Sequence, residues 1–187
     1  MAQVLQYDPE YFVWVDETGS DARNQMRMFG YALLGLTPVY HRFLVRGKRI
    51  SAIAAISSSG LVGVELTVGS VNAEKFADFI KGTLIPEMEP FDGSKKKSIV
   101  ILDNCSIHHT EAVKEIFRDA GILVIYLPPY SPDLNPIEET FSCVKYYLKE
   151  HDELLQAVTE PTSVIQAAFD SITEEQCTGW IKHSGYC

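Results

Sequence analysis

No stretch of this chain is long and apolar enough to span a bilayer, which takes about 20 consecutive residues. The best candidate, 53–68, is interrupted by Ser57-Ser58-Ser59-Gly60. The start, MAQVLQYDPEY, has no basic head followed by an apolar core, so no signal peptide is expected. Cysteine is scarce: Cys105, Cys143, Cys177 and Cys187 contain no CxxC pair and no zinc or disulfide spacing. Reduced thiols in a soluble, intracellular protein are the expectation. Positive charge is short too. With 16 Lys+Arg against 25 Asp+Glu the net charge is -9, so overall charge gives no help in binding a phosphate backbone. Internal repeats and low-complexity tracts are absent.

What is present is a core. Of the 187 residues, 46% are hydrophobic and 11% aromatic, enough for one ordinary domain and too apolar for global disorder. Residues 11–16, aromatic and β-branched, predict a first strand running into Asp16-Glu17-Thr18-Gly19. Residues 19–28 read as a polar loop, 39–44 as a strand, and Arg46-Gly47-Lys48-Arg49 as a basic turn. The apolar runs 50–56 and 61–68, split by a four-residue loop, predict an antiparallel hairpin. Helical spacing then takes over: Asn72 caps a helix carrying Phe76, Phe79, Ile80, Thr83 and Leu84, which stops at Pro86.

The stretch 98–139 is the most informative. Four apolar residues, 99–102, predict a buried strand that ends on Asp103. Thr110 opens a helix with Val113, Ile116 and Phe117 inward, a second buried strand covers 122–127, and prolines 128, 129, 132 and 136 then forbid pairing. The next helix covers 136–150, and two more follow at 162–170 and 173–183, the last with a Thr173/Gln176 capping box. Hairpin-linked strands followed by a parallel βαβ half predict an α/β fold, a mixed sheet with helices on both faces.

Three carboxylates stand out. Asp103 ends a parallel strand, where open α/β sheets place their sites, although an Asx-turn explains it equally well locally. Asp16 ends another apolar strand on the face of Trp14, and its neighbour Glu17 points to the opposite face. Glu138 falls in the first turn of the 136–150 helix, where Asn135 as N-cap, Pro136 at N1 and Glu138 at N3 make an ordinary capping arrangement. Ile137, Phe141, Val144 and Leu148 form the stripe facing the sheet. At about 100° per residue, Glu138 lies on its flank, whereas Glu139 lies about 200° from Ile137, toward solvent. Converging carboxylates suit Mg²⁺ or Mn²⁺, and two such ions about 4 Å apart support in-line attack at phosphorus. Arg46, Lys48, Arg49, Asn104, His108 and His109 are candidate substrate contacts. Cys105 with the two histidines lacks a fourth ligand for zinc, and Ser131 lacks the setting of a nucleophile elbow.

The residues VDET (15–18), ILDNCSIHH (101–109) and YLPPYSPDLNPIEE (126–139) resemble the catalytic signatures of mariner-type DNA transposases, members of the DDE superfamily, over about 10–150. Between positions 103 and 138 lie 34 residues, the separation of one large branch of that family. The resemblance implies a ribonuclease H-like catalytic domain over 1–150, with a mixed five-stranded sheet of three antiparallel strands plus two parallel. Residues 151–187 would be a helical extension packed on it. It implies Asp16, Asp103 and Glu138 as catalytic and metal-binding residues, with two ions of Mg²⁺ or Mn²⁺. The implied reaction is hydrolysis of phosphodiester bonds at transposon ends and joining of 3′-hydroxyls to target DNA. DNA and a second copy of the chain are the expected partners, with a nuclear location in a eukaryote. A first strand at residue 11 leaves no room before it for the helix-turn-helix units of full transposases. The competing expectation is therefore a domesticated or degenerate, non-catalytic interaction module.

Overall fold

A computed structural model of the protein describes residues 6–20, 31–37, 49–158 and 160–186. The predicted strand at 39–44 lies outside the described residues. Five strands form one sheet: β1 (Phe12–Ser20), β2 (Ile50–Ser57), β3 (Gly60–Val68), β4 (Ile99–Leu102) and β5 (Leu123–Tyr126), in the order β3-β2-β1-β4-β5. The pairs β1/β2 and β2/β3 are antiparallel, and β1/β4 and β4/β5 are parallel. This is the expected mixed sheet. The first strand runs to residue 20, longer than expected, because its far half pairs with β2 from Asp16↔Ala54 to Ser20↔Ile50.

Strand alternation divides the core in two. Phe12, Trp14, Ala52, Ala54, Ile99 and Ile101 face one side, where they meet α3 (Ile137–Glu150), α5 (Thr162–Asp170) and α6 (Glu174–His183). Val13, Val15, Ile53, Ala55, Val100 and Leu102 face the other, covered by α1 (Ala73–Phe79) and α2 (Glu111–Asp119). A short α4 (Asp152–Ala157), unanticipated from the sequence, follows α3. The predicted 72–86 helix breaks into α1, a π segment Ile80–Leu84 and a 3₁₀ turn Ile85–Glu87, the last containing Pro86. Asn72 caps it as expected, accepting from the Lys75 N–H. The Thr173/Gln176 capping box is present at α6. Among the described residues, no helix is long and apolar enough to cross a membrane.

Candidate active site

The parallel register aligns Val15 with Leu102, so Asp16, still paired with Ala54 of β2, lies next to Asp103, the residue that follows the end of β4. Helix α3 lies across the Trp14 face with Ile137, Phe141, Val144 and Leu148 all buried, the predicted stripe. That seating brings Glu138 to the same sheet edge. Asp16, Asp103 and Glu138 all line a cleft of about 380 Å³, together with Glu17, Arg49 and Cys105. Glu139 turns away and pairs with His183 at 3.1 Å.

Asp16 is buried, 9% exposed. Its Oδ1 accepts from the Glu17 N–H at 2.7 Å, and its Oδ2 accepts from Asn135 Nδ2 at 2.8 Å. Burial, then the negative charges of Glu17 and Asp103, raise its carboxyl from 3.8 to about 8, against the Glu17 hydrogen bond; Glu138 adds to the rise. The Asn135 contact corrects the sequence expectation. Asn135 does not cap α3: the helix begins without a side-chain cap, and the amide serves the carboxylate instead. A buried carboxyl group left without a hydrogen-bond partner is costly, which gives it a strong claim on the donor.

Asp103 is half-exposed and makes the expected Asx-turn, its Oδ1 accepting from the Cys105 N–H at 3.0 Å. The same oxygen accepts from His108 Nδ1 at 2.6 Å, while His108 Nε2 donates to Glu17 Oε2 at 3.0 Å. Burial pulls the imidazole down, but the two carboxylates override it and raise His108 to about 10. The result is a buried imidazolium, fully shielded from solvent and packed on Phe76 with ring centroids 4.3 Å apart. Its hydrogen bond holds the Asp103 carboxyl below the usual range. As a candidate substrate contact, His108 is therefore placed differently: it faces inward and clamps two acids. Glu17 does emerge opposite Asp16, yet at the sheet edge its carboxylate still borders the cleft.

His109 donates from Nε2 to Asn104 Oδ1 at 2.6 Å and stacks on Tyr126 at 4.2 Å, which leaves this pair beside Asp103. Arg49 reaches the cleft across Gly19; a Cβ at that glycine would sit 2.5 Å from the guanidinium. Arg46 and Lys48 lie outside the described residues. Lys95 and Lys96, the other basic run, pair on the surface with Glu89 and Glu10.

Among the described residues, no three His, Cys, Asp or Glu side chains are gathered tightly enough to hold an ion between them. The donor set nonetheless fits a hard divalent cation. It consists of carboxylates around an open cleft, and the buried one carries an electrostatic cost that a cation would remove. An ion that keeps several waters and takes one or two carboxylates, as Mg²⁺ does, suits such openness better than one needing a closed cage.

Residues 11–158 match the family model for DDE superfamily endonucleases. A comparison with curated proteins finds no match. Among solved structures, the Mos1 strand transfer complex is similar with a TM-score of 0.64 at 21% identity, over 93% of this chain and 51% of that one. The Mos1 mariner paired end complex with Mn gives 0.61 at 20%, over 92% and 52%. The catalytic domain of Mos1 mariner transposase gives 0.61 at 19%, over 92% and 76%. The likeness is one of fold, ribonuclease H-like as expected, and the chain spans about half the length of the Mos1 proteins in the two complexes.

Proposed function

The chain belongs to the DDE superfamily of endonucleases, and from that premise we propose that it is the catalytic unit of a DNA transposase. It would hydrolyse phosphodiester bonds at transposon ends and join the freed 3′-hydroxyls to target DNA. The observation that carries this reading is the convergence of Asp16, Asp103 and Glu138 on one cleft from β1, β4 and α3. Asp16, Asp103 and Glu138 would hold Mg²⁺ or Mn²⁺, two ions in the full site. Bound there, the cations would activate water or a 3′-hydroxyl and stabilise the leaving oxygen.

The protein's own residues supply the rest. His108 fixes Asp103, a residue of the cleft lining, by one oxygen. Asn135 orients Asp16. Arg49 offers a cation to a phosphate entering an otherwise acidic cleft. His109, held by Asn104 and backed by Tyr126, presents a flat ring beside Asp103, suited to a sugar or base edge. The partners in this reading are DNA, both transposon ends and target, and a second copy of the chain to bring two ends together. An intracellular location, nuclear in a eukaryote, follows from such a substrate.

Nicking of double-stranded DNA with Mn²⁺ tests the proposal. The wild-type chain should nick, and Asp103→Asn and Glu138→Gln should not. Activity that survives both substitutions would sink the assignment. The sparse gathering of ligands favours a second reading, a non-catalytic module descended from a transposase. Failure to bind Mn²⁺ at millimolar concentration would decide for it.

A further inference from the structure

The family match ends at residue 158, yet the chain beyond it reaches back to the site. Helix α6 is capped at both ends. Thr173 and Gln176 close its start. At its end the Gly185 N–H bonds to the Lys182 carbonyl at 3.1 Å and the Tyr186 N–H to the Ile181 carbonyl at 3.2 Å, with Gly185 at φ 88°. This is a Schellman turn, which needs the left-handed residue that glycine provides and points the following side chain back over the helix. The side chain so directed is Tyr186.

Tyr186 is 4% exposed. Its ring meets Trp14 at 5.0 Å and 79°, and Phe12 at 5.9 Å and 63°, both edge-on. Its hydroxyl donates to the Leu134 carbonyl at 2.7 Å. Leu134 ends the 3₁₀ turn Pro132–Leu134, and the next residue is Asn135, the donor to Asp16. Trp14 precedes Asp16 by two residues on the same face of β1. The contacts thus close a ring: Asp16 to Trp14 along the strand, Trp14 to Tyr186, Tyr186 to Leu134, and Asn135 back to Asp16. The Glu138 N–H also hangs on this turn, bonded to the Asn135 carbonyl at 3.1 Å.

We propose that Tyr186 is a positioning residue for the metal-binding carboxylates: its hydroxyl fixes the Leu134–Asn135 peptide and through it the orientation of Asp16 and the start of α3. The C-terminal helices are then part of the active site's support rather than an appendage. The proposal rests on the metal-dependent reading above for its effect on cation binding, and on geometry alone for its effect on Asn135.

Tyr186→Phe keeps both ring contacts and removes only the hydroxyl, and two measurements follow from it. In metal-free protein, NMR exchange of the Asn135 side-chain amide protons should be slow in wild type and at least roughly tenfold faster in Tyr186→Phe. Unchanged exchange overturns the proposal. In calorimetric titration with Mn²⁺, Tyr186→Phe should weaken binding roughly three- to tenfold, and should cause a smaller loss in an Asn135→Ala background, where only the backbone bond to the start of α3 remains to be disturbed. A variant that loses the same factor in both backgrounds is merely loosened, and the relay through Asn135 is wrong. If wild type binds no Mn²⁺ while the amide exchange quickens as expected, the metal reading fails and the Tyr186–Asn135–Asp16 relay stands.

Discussion

Replacing Asp16 by Asn should make the metal-free protein more stable while removing a proposed metal ligand. The wild-type carboxyl is 9% exposed and is raised from 3.8 to about 8, first by burial and then by the charges of Glu17 and Asp103. A group raised above its unfolded value contributes stability that is fully present below about 3.8 and is lost as the pH climbs toward about 8. At pH 7 the loss from this one group is on the order of 4 kcal/mol. Asparagine avoids it without forfeiting hydrogen bonds. Its oxygen can accept from the Glu17 N–H, and its amide can donate to Asn135 Oδ1, a buried atom with no partner in the wild type, once the Asn135 amide turns over. For a chain of this size the gain corresponds to a rise in Tm on the order of 10 °C. Urea and thermal unfolding in EDTA at pH 4, 6 and 8 provide the assay. Wild type should lose stability steadily across that range, and Asp16→Asn should lose much less. An Asn variant that is no more stable at pH 8, or gains as much at pH 4 as at pH 8, would refute the reasoning.

Two further outcomes are expected. His108→Leu leaves Asp103 and Glu17 facing each other without the imidazolium between them; it should cost about 3 kcal/mol or more at pH 7, as read by urea midpoints. Thr173→Ala breaks the α6 capping box and should cost about 1 kcal/mol, with Mn²⁺ affinity unchanged in calorimetry.

The sequence is most informative where local rules and burial agree. Four apolar residues ahead of Asp103 marked β4 to the residue, and the choice of Glu138 over Glu139 followed from the 100° step of a helix whose stripe is buried as expected. Asn135 shows where local rules give out. A capping rule looks a few residues away, whereas the carboxylate that takes this amide is 119 residues distant in sequence. His108 is similar: from the sequence it is a candidate substrate contact, but folding buries it between Asp103 and Glu17. Tyr186 offered no local signal at all, since its partners Trp14, Phe12 and Leu134 come from other parts of the chain. Strand alternation did put Asp16 and Glu17 on opposite faces; that both still border the cleft is a property of the sheet's edge, where two faces meet one opening.

The most direct test of the central claim is the position of a bound ion. Anomalous diffraction from crystals of the protein soaked in Mn²⁺ should give a peak about 2.1 Å from a carboxylate oxygen of Asp16 or Asp103, inside the cleft that Glu138 borders. A well-diffracting soaked crystal with no peak in that cleft, or with its only peaks on surface acids elsewhere, would contradict the account.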